Sequence, residues 1–164
     1  MILHDFSKEN SILNQFIAEL RDVNIQKDAM RFRKNIERIG EVLGYELSKT
    51  FNYKDKKVET PFGQKTVSMP QNNLVLCSVL RAGLPLHQGL LNYFDKAENA
   101  FISAYRHHRD HKDAFKVILK YLSYTSLTNK TIVLKDPMLA KGKTLENFYS
   151  SLKKHGIQKQ IHIV

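Results

Sequence analysis

Apolar positions along the chain fall into two patterns, and the switch between them predicts the fold. Ile12, Leu13, Phe16, Ile17 and Leu20 recur at helical spacing behind Asn10 and Ser11, either of which can cap a helix. A longer helix is expected from about Lys27 to Thr50, with Met30, Ile36, Ile39, Val42, Leu43 and Leu47 as its apolar stripe. Within residues 53–69, Lys57-Val58-Glu59-Thr60 and Lys65-Thr66-Val67 flank Pro61-Phe62-Gly63. That is the pattern of a β-hairpin, too polar to be a core pair. From Leu74 onward the pattern becomes short apolar runs, the signature of buried strands: Leu74–Leu80, Asn99–Tyr105, Phe115–Leu122, Thr131–Leu134 and Lys159–Val164. Helical spacing returns between them, from about Leu86 to Phe94 and again at Leu145, Phe148, Tyr149 and Leu152.

Strands alternating with helices predict an α/β fold with a doubly wound, mostly parallel sheet. The expected organisation is one domain over residues 1–164: N-terminal helices (1–50), a protruding hairpin arm (53–69) and an α/β core (73–164). In such sheets ligands bind outside the carboxyl ends of the strands, and two strand ends here carry suitable chemistry.

The first is Thr131 to Thr144. A buried strand runs into Lys135-Asp136-Pro137, then Met138-Leu139-Ala140-Lys141-Gly142-Lys143-Thr144, and then a helical pattern. The first N–H groups of a helix have no partner inside it and can point at an anion. Thr144 can cap the helix or give its hydroxyl to a phosphate oxygen. Asp136 is placed to accept hydrogen bonds from a polar ligand such as a sugar. The second is Leu80-Arg81-Ala82-Gly83-Leu84-Pro85, again strand, small-residue loop and helix start. Gly83 permits backbone conformations other residues resist, and Pro85 suits a first helical turn. Arg81 is the one charge in an apolar segment. It is expected to pair with an anion or a carboxylate, because an unpaired buried charge is costly.

The net charge of +10 favours anionic partners without choosing among them. Arg31, Arg33, Lys34 and Arg38 lie off the second helix's stripe and are expected to form a solvated face, with Lys34 pairing to Glu37 or Glu41. Cys77, the only cysteine, sits in an apolar run and is expected to be a buried, inert thiol. No apolar run approaches the ~18 residues of a membrane span, and no basic-then-apolar leader pattern opens the chain. The expectation is therefore a cytoplasmic protein without a membrane partner. His107, His108 and His111 invite a metal, but nothing upstream supplies further ligands, and His107, His108 and Arg109 are expected to be loop surface.

Asp136-Pro137-Met138-Leu139-Ala140, followed by Gly142 and Thr144, resembles the phosphoribosyl-pyrophosphate (PRPP) loop of the uracil phosphoribosyltransferases. Val79 to Leu86 matches the pyrophosphate loop of that family, and Tyr105-Arg106 fits a pyrophosphate-binding arginine behind a tyrosine. The resemblance runs from the first helix to Val164. It implies a phosphoribosyltransferase-type sheet and the conversion of uracil and PRPP to UMP and pyrophosphate. It also implies Mg²⁺ carried mainly by PRPP, and a homodimer joined through the hairpin. Arg81, Ala82, Gly83 and Arg106 would hold the pyrophosphate, Asp136 the ribose hydroxyls, and Pro137 to Thr144 the 5′-phosphate. Arg81, Arg106 and Asp136 would be the catalytic set. The chain departs from the family at three lysines. Lys135 replaces an apolar strand residue, Lys141 a threonine and Lys143 a small residue. Anion binding is expected to survive these changes and catalytic geometry to weaken.

The family's hood over uracil, a stretch of the type Tyr-Ile-x-Pro-Gly-Leu-Gly-Asp, has no counterpart in the 164 residues. A terminal apolar strand is expected to leave an open sheet edge. A truncated or inactive PRPP-binding homologue is thus one alternative. An RNA-binding regulator on the same fold is another, permitted by the charge but without an aromatic RNA-binding signature. A P-loop around Gly142-Lys143-Thr144 is disfavoured, because the glycine it needs would fall at Pro137.

Overall fold

The computed structural model describes residues 2–71, 73–107, 116–123, 126–137, 149 and 158–164. Helix α1 (Ile12–Arg21) starts where Ser11 accepts the Leu13 N–H, and only Leu13 of its apolar face is fully buried. Helix α2 (Ala29–Ser48) is capped by Asp28, which accepts from the N–H groups of Met30 and Arg31. Ile36 and Leu47 of the expected stripe are buried, but Met30 is 69% exposed. The cap places Met30 in the first turn, where no neighbouring element covers it. The buried face instead includes Asn35, Gly40 and Gly44. Asn35 is satisfied there, donating to Glu19 Oε2 of α1 at 2.7 Å and accepting from Arg38 at 3.1 Å.

The basic residues of α2 serve structure. Lys34 pairs with Glu37 at 2.9 Å, Arg31 with Glu19 at 3.4 Å, and Arg38 stacks its guanidinium over Phe16. The hairpin is longer than expected, β1 (Asn52–Thr60) pairing antiparallel with β2 (Gly63–Gln71) around Pro61-Phe62. Gly63 has φ of 116°, a conformation that favours glycine. Nearly every hairpin residue is exposed, Phe62 completely.

The core is a five-stranded sheet in the order β5-β4-β3-β6-β7. Strand β3 (Leu74–Leu80) lies in the middle and leads through helix α3 (Leu84–Leu91) to β4 (Glu98–His107). Strands β4, β3, β6 (Thr131–Lys135) and β7 (Gln160–Ile163) are parallel, while β5 (Lys116–Ser123) runs antiparallel at one edge. Alternation along β3 and β6 divides the core in two. Val75, Cys77, Ile132 and Leu134 pack on one face with Ala100, Ile102 and Leu127. Leu74, Leu76 and Val133 pack on the other against Leu47, Leu90 and Phe94, the face covered by α2 and α3. No helix among the described residues is long and apolar enough to cross a membrane.

Candidate active site

The strand order turns between β3 and β6. The chain leaves β3 through α3 to reach β4 on one side, whereas β6 pairs with the other side of β3. Ser78 of β3 lies opposite Lys135 of β6, and Leu80 opposite Ser103 of β4. The carboxyl ends of three neighbouring parallel strands therefore open at one end of the sheet. Arg81 and Asp136 directly follow two of these ends, at the position where an open α/β sheet leaves a crevice for ligands.

The loop 81–83 is tight. The Leu80–Arg81 peptide is cis, Gly83 N–H donates to Val79 at 3.0 Å, and Leu84 N–H donates to Arg81 at 3.1 Å. Gly83 is required for a different reason than the sequence suggests. Its backbone is ordinary and right-handed, with φ of −70°. A Cβ there would stand 2.7 Å from the Val79 carbonyl oxygen and 3.3 Å from Ser78 Cβ. Close approach, not conformation, selects glycine. Helix α3 begins two residues earlier than expected, at Leu84, with Pro85 in its first turn and no side chain capping its first N–H groups.

Arg81 is exposed, which corrects the expectation of a buried charge. The turn lifts its side chain clear of the apolar run, so no desolvation has to be offset. No salt bridge joins it to a carboxylate among the described residues. Ala82 is exposed too, and Gly83 is buried. Arg106 lies inside β4, opposite Val117 of β5, rather than at the root of a loop, because β4 continues to His107. Asp136 and Pro137 are half-buried just past β6, and the Asp136 N–H donates to the Val164 carbonyl at 3.2 Å. Met138, Leu139, Ala140, Lys141, Gly142, Lys143 and Thr144 lie outside the described residues, as do His108 and His111. Of the helix expected after Thr144, Tyr149 is described and is helical. Among the described residues no three His, Cys, Asp or Glu side chains converge as a metal site.

Below the loop lies a polar row, buried at Ser78 and His87, that sequence reading missed. His87 of α3 is 4% exposed, and its Nδ1 lies 2.8 Å from Ser78 Oγ. Its Nε2 lies 2.7 Å from Asn99 Oδ1 of β4. An amide oxygen only accepts, so Nε2 carries the proton and Nδ1 accepts the Ser78 hydroxyl. Burial first, then the neighbouring Lys135, pushes the His87 pKa down to about 4. Lys135 is itself fully buried and its Nζ has no hydrogen-bond partner among the described residues. Burial lowers its pKa to about 7. The signal in the sequence was a serine inside an apolar strand and a histidine one turn into the following helix, but only the pairing shows that they meet.

The model of the uracil phosphoribosyltransferase family matches residues 7–164. The chain belongs to that family. A uracil phosphoribosyltransferase of Porphyromonas gingivalis is 48% identical over 155 residues, covering 94% of this chain and 71% of the relative. Another, from Methanococcus vannielii, is 35% identical over 161 residues, covering 96% of this chain and 67% of the relative. Among solved structures, a protein from Aquifex aeolicus superposes with a TM-score of 0.79 at 23% identity, covering 99% of this chain and 86% of that one. A hypoxanthine phosphoribosyltransferase of Staphylococcus aureus superposes at 0.56 with 19% identity, covering 80% of this chain and 62% of that one. These two likenesses show a phosphoribosyltransferase-type fold, as the resemblance of the loops implies.

Proposed function

We propose that the protein transfers the phosphoribosyl group of PRPP to uracil, forming UMP and pyrophosphate in pyrimidine salvage. The observation that carries this is the parallel pairing of β3 with β6, the strands that lead into Arg81-Ala82-Gly83 and Asp136, in a chain of the uracil phosphoribosyltransferase family. The bond from uracil N1 to ribose C1 forms as the C1–O bond to pyrophosphate breaks, and the N1 proton is released to the departing pyrophosphate or to water. Positive charge develops on the ribose and negative charge on the leaving group, so catalysis is mainly positioning and charge stabilisation.

Arg81 and Arg106 hold the leaving pyrophosphate. Arg81's exposure at the rim suits this role, since it is free to close on a ligand. Asp136 takes the ribose hydroxyls, and the stretch 137–144 takes the 5′-phosphate. The donor set at the sheet end is one carboxylate among cations, which fits a Mg²⁺ held chiefly by the ligand's own oxygens. That ion supplies neutralisation of pyrophosphate charge. The exposed hairpin, with Phe62 at its tip, supports a homodimer formed through this arm. The single domain over 1–164 and the cytoplasmic setting belong to the same proposal.

The test is UMP formation from labelled uracil and PRPP in Mg²⁺, with PRPP binding measured separately by calorimetry. Turnover that needs both substrates supports the proposal. A folded sample that neither binds PRPP nor forms UMP overturns it.

A further inference from the structure

Lys135 is a lysine where the fold calls for an apolar residue. It ends β6, a strand buried at every position, and is 0% exposed. Alternation with Val133, which packs against Leu90 and Phe94, puts it on the face covered by α3. Its register partner is Ser78, the residue that Gly83 sits against. Lys135 thus lies beneath the loop 81–83, between the two strand ends that frame the crevice, and the next residue is Asp136. Its Nζ has no hydrogen-bond partner among the described residues. A buried cation without a partner is unfavourable unless it sheds its proton or gains an anion.

We propose that Lys135 is a positioning residue that carries a proton-coupled charge: at pH 8 it is largely neutral in the free protein and becomes an ammonium when a polyphosphate ester occupies the crevice above it. This rests on the proposed phosphoribosyl transfer, and it deepens it by making substrate binding take up a proton. The two states differ by one charge, placed under the leaving group by the ligand's own field. A nearby anion favours the protonated form and burial opposes it, so the ligand reverses the balance.

The surrounding groups do not supply that proton near neutral pH. Cys77 of β3 has its thiol pushed up to about 12 by burial. His87 of α3 is pushed down to about 4. His162 of β7, on the same face against Phe51, is held below the ordinary imidazole range by burial. Ser78 and Asn99 do not titrate in this range, and Arg81 stands exposed at the rim. Lys135, lowered to about 7, is the group poised to change.

The experiment is calorimetric titration of the full chain with PRPP and Mg²⁺ at pH 8, in two buffers of different ionisation enthalpy, for wild type and Lys135→Met. The comparison cancels protons taken up or lost by the ligand itself. Wild type is expected to take up more protons than the variant, by on the order of 0.5–0.9 per site at pH 8 and close to none at pH 6. Correspondingly, Kd for wild type rises up to ~tenfold more per pH unit between pH 7 and 9 than Kd for the variant. A purely structural role for Lys135 would move stability without moving this proton count. Lys135→Leu, an equally apolar replacement, serves if the methionine variant does not fold. Equal proton uptake by wild type and variant overturns the inference and leaves the proposed transfer standing. Absence of PRPP binding in every protein overturns both.

Discussion

Gly89 of α3 lies against the backbone of Glu37 in α2, so closely that a Cβ on Gly89 would stand 2.0 Å from the Glu37 carbonyl oxygen. Gly40 makes the reciprocal approach, where a Cβ would reach the Leu86 carbonyl at 2.7 Å. The two helices meet backbone to backbone, and α3 carries the loop 81–83 on its first turn. Gly89→Ala must push the helices apart, because the clash is with backbone and not with a side chain that can turn away. The expected cost is about 3 kcal/mol or more, a fall in Tm of roughly 6–12 °C for a chain of this size. Thermal unfolding followed by circular dichroism checks this. A variant melting within ~2 °C of wild type would show that the helices are not so closely held.

The Ser78–His87–Asn99 row makes a second prediction. Ser78→Ala leaves the buried His87 Nδ1 without a donor and is expected to cost about 1–3 kcal/mol. The pH dependence follows from the lowered His87 pKa. Between about 6.5 and 4 the unfolded chain binds a proton that the folded chain refuses. Stability from this group is therefore complete above pH 6.5 and is lost as pH falls toward 4, by at most roughly 3 kcal/mol. Urea unfolding at pH 6.5, 5.5 and 4.5 should show a shallower decline in His87→Gln than in wild type. Parallel declines would remove His87 from the account.

The contrast between these residues and the strands shows what the sequence could reveal. Leu74–Leu80 is a run of apolar side chains with one serine, and the strand has those bounds because a central parallel strand is buried on both faces. The hairpin was visible in Pro61-Phe62-Gly63, which has no core to join. The helix boundaries were less legible. Met30 fits the spacing of the stripe, yet the Asp28 cap leaves it in an uncovered first turn. Gly40 and Gly89 carry no signal in the sequence, whereas they are where α2 and α3 come backbone to backbone. At the site, Arg81 and Asp136 stood out as charges at strand ends, and the pairing of β3 with β6 brings those ends together. Ser78, His87 and Asn99 did not stand out, because a contact across a strand, a helix and the next strand leaves no spacing to detect. Lys135 was visible as a departure, but its complete burial depends on α3 lying over it.

Lys135 also leaves a mark on stability, separate from any ligand. Its pKa is about 7 in the folded chain against 10.5 for a free lysine. Between these values the unfolded chain binds more protons, so stability from this group rises with pH from about 7 to 10.5 and is lowest below 7. Lys135→Met removes the penalty and is expected to stabilise the fold at pH 6 by on the order of 3–5 kcal/mol. The gain should shrink as pH rises toward 9. Guanidinium unfolding of both proteins across that range is the check. A gain that does not change with pH would mean that side-chain packing, not protonation, explains it.

Arg81 should separate binding from folding. Its side chain is exposed and no salt bridge among the described residues depends on it, so Arg81→Ala is expected to leave stability within ~0.5 kcal/mol of wild type. If Arg81 holds pyrophosphate as proposed, losing that charge-assisted contact costs about 1.5–3 kcal/mol. The apparent affinity for PRPP should therefore fall by roughly 10- to 150-fold. Calorimetry with PRPP beside a thermal melt measures both quantities on one preparation. Unchanged affinity would remove Arg81 from the pyrophosphate site.

Cys77 offers a test of the core itself. It is 1% exposed in the central strand, packed with Val75, Ala100, Ile102, Ile132 and Leu134. Burial pushes its thiol up to about 12, so almost no thiolate is present at pH 8. A thiol reagent such as 5,5′-dithiobis(2-nitrobenzoate) therefore has neither the nucleophile nor a path to it in the folded protein. Labelling is expected only through opening of the sheet, with a rate that rises with urea in step with unfolding seen by circular dichroism. The central position of β3 makes this opening close to global, because both neighbouring strands must separate from it. Fast labelling in native buffer, with the circular dichroism unchanged, would show that the middle of the sheet opens without the rest.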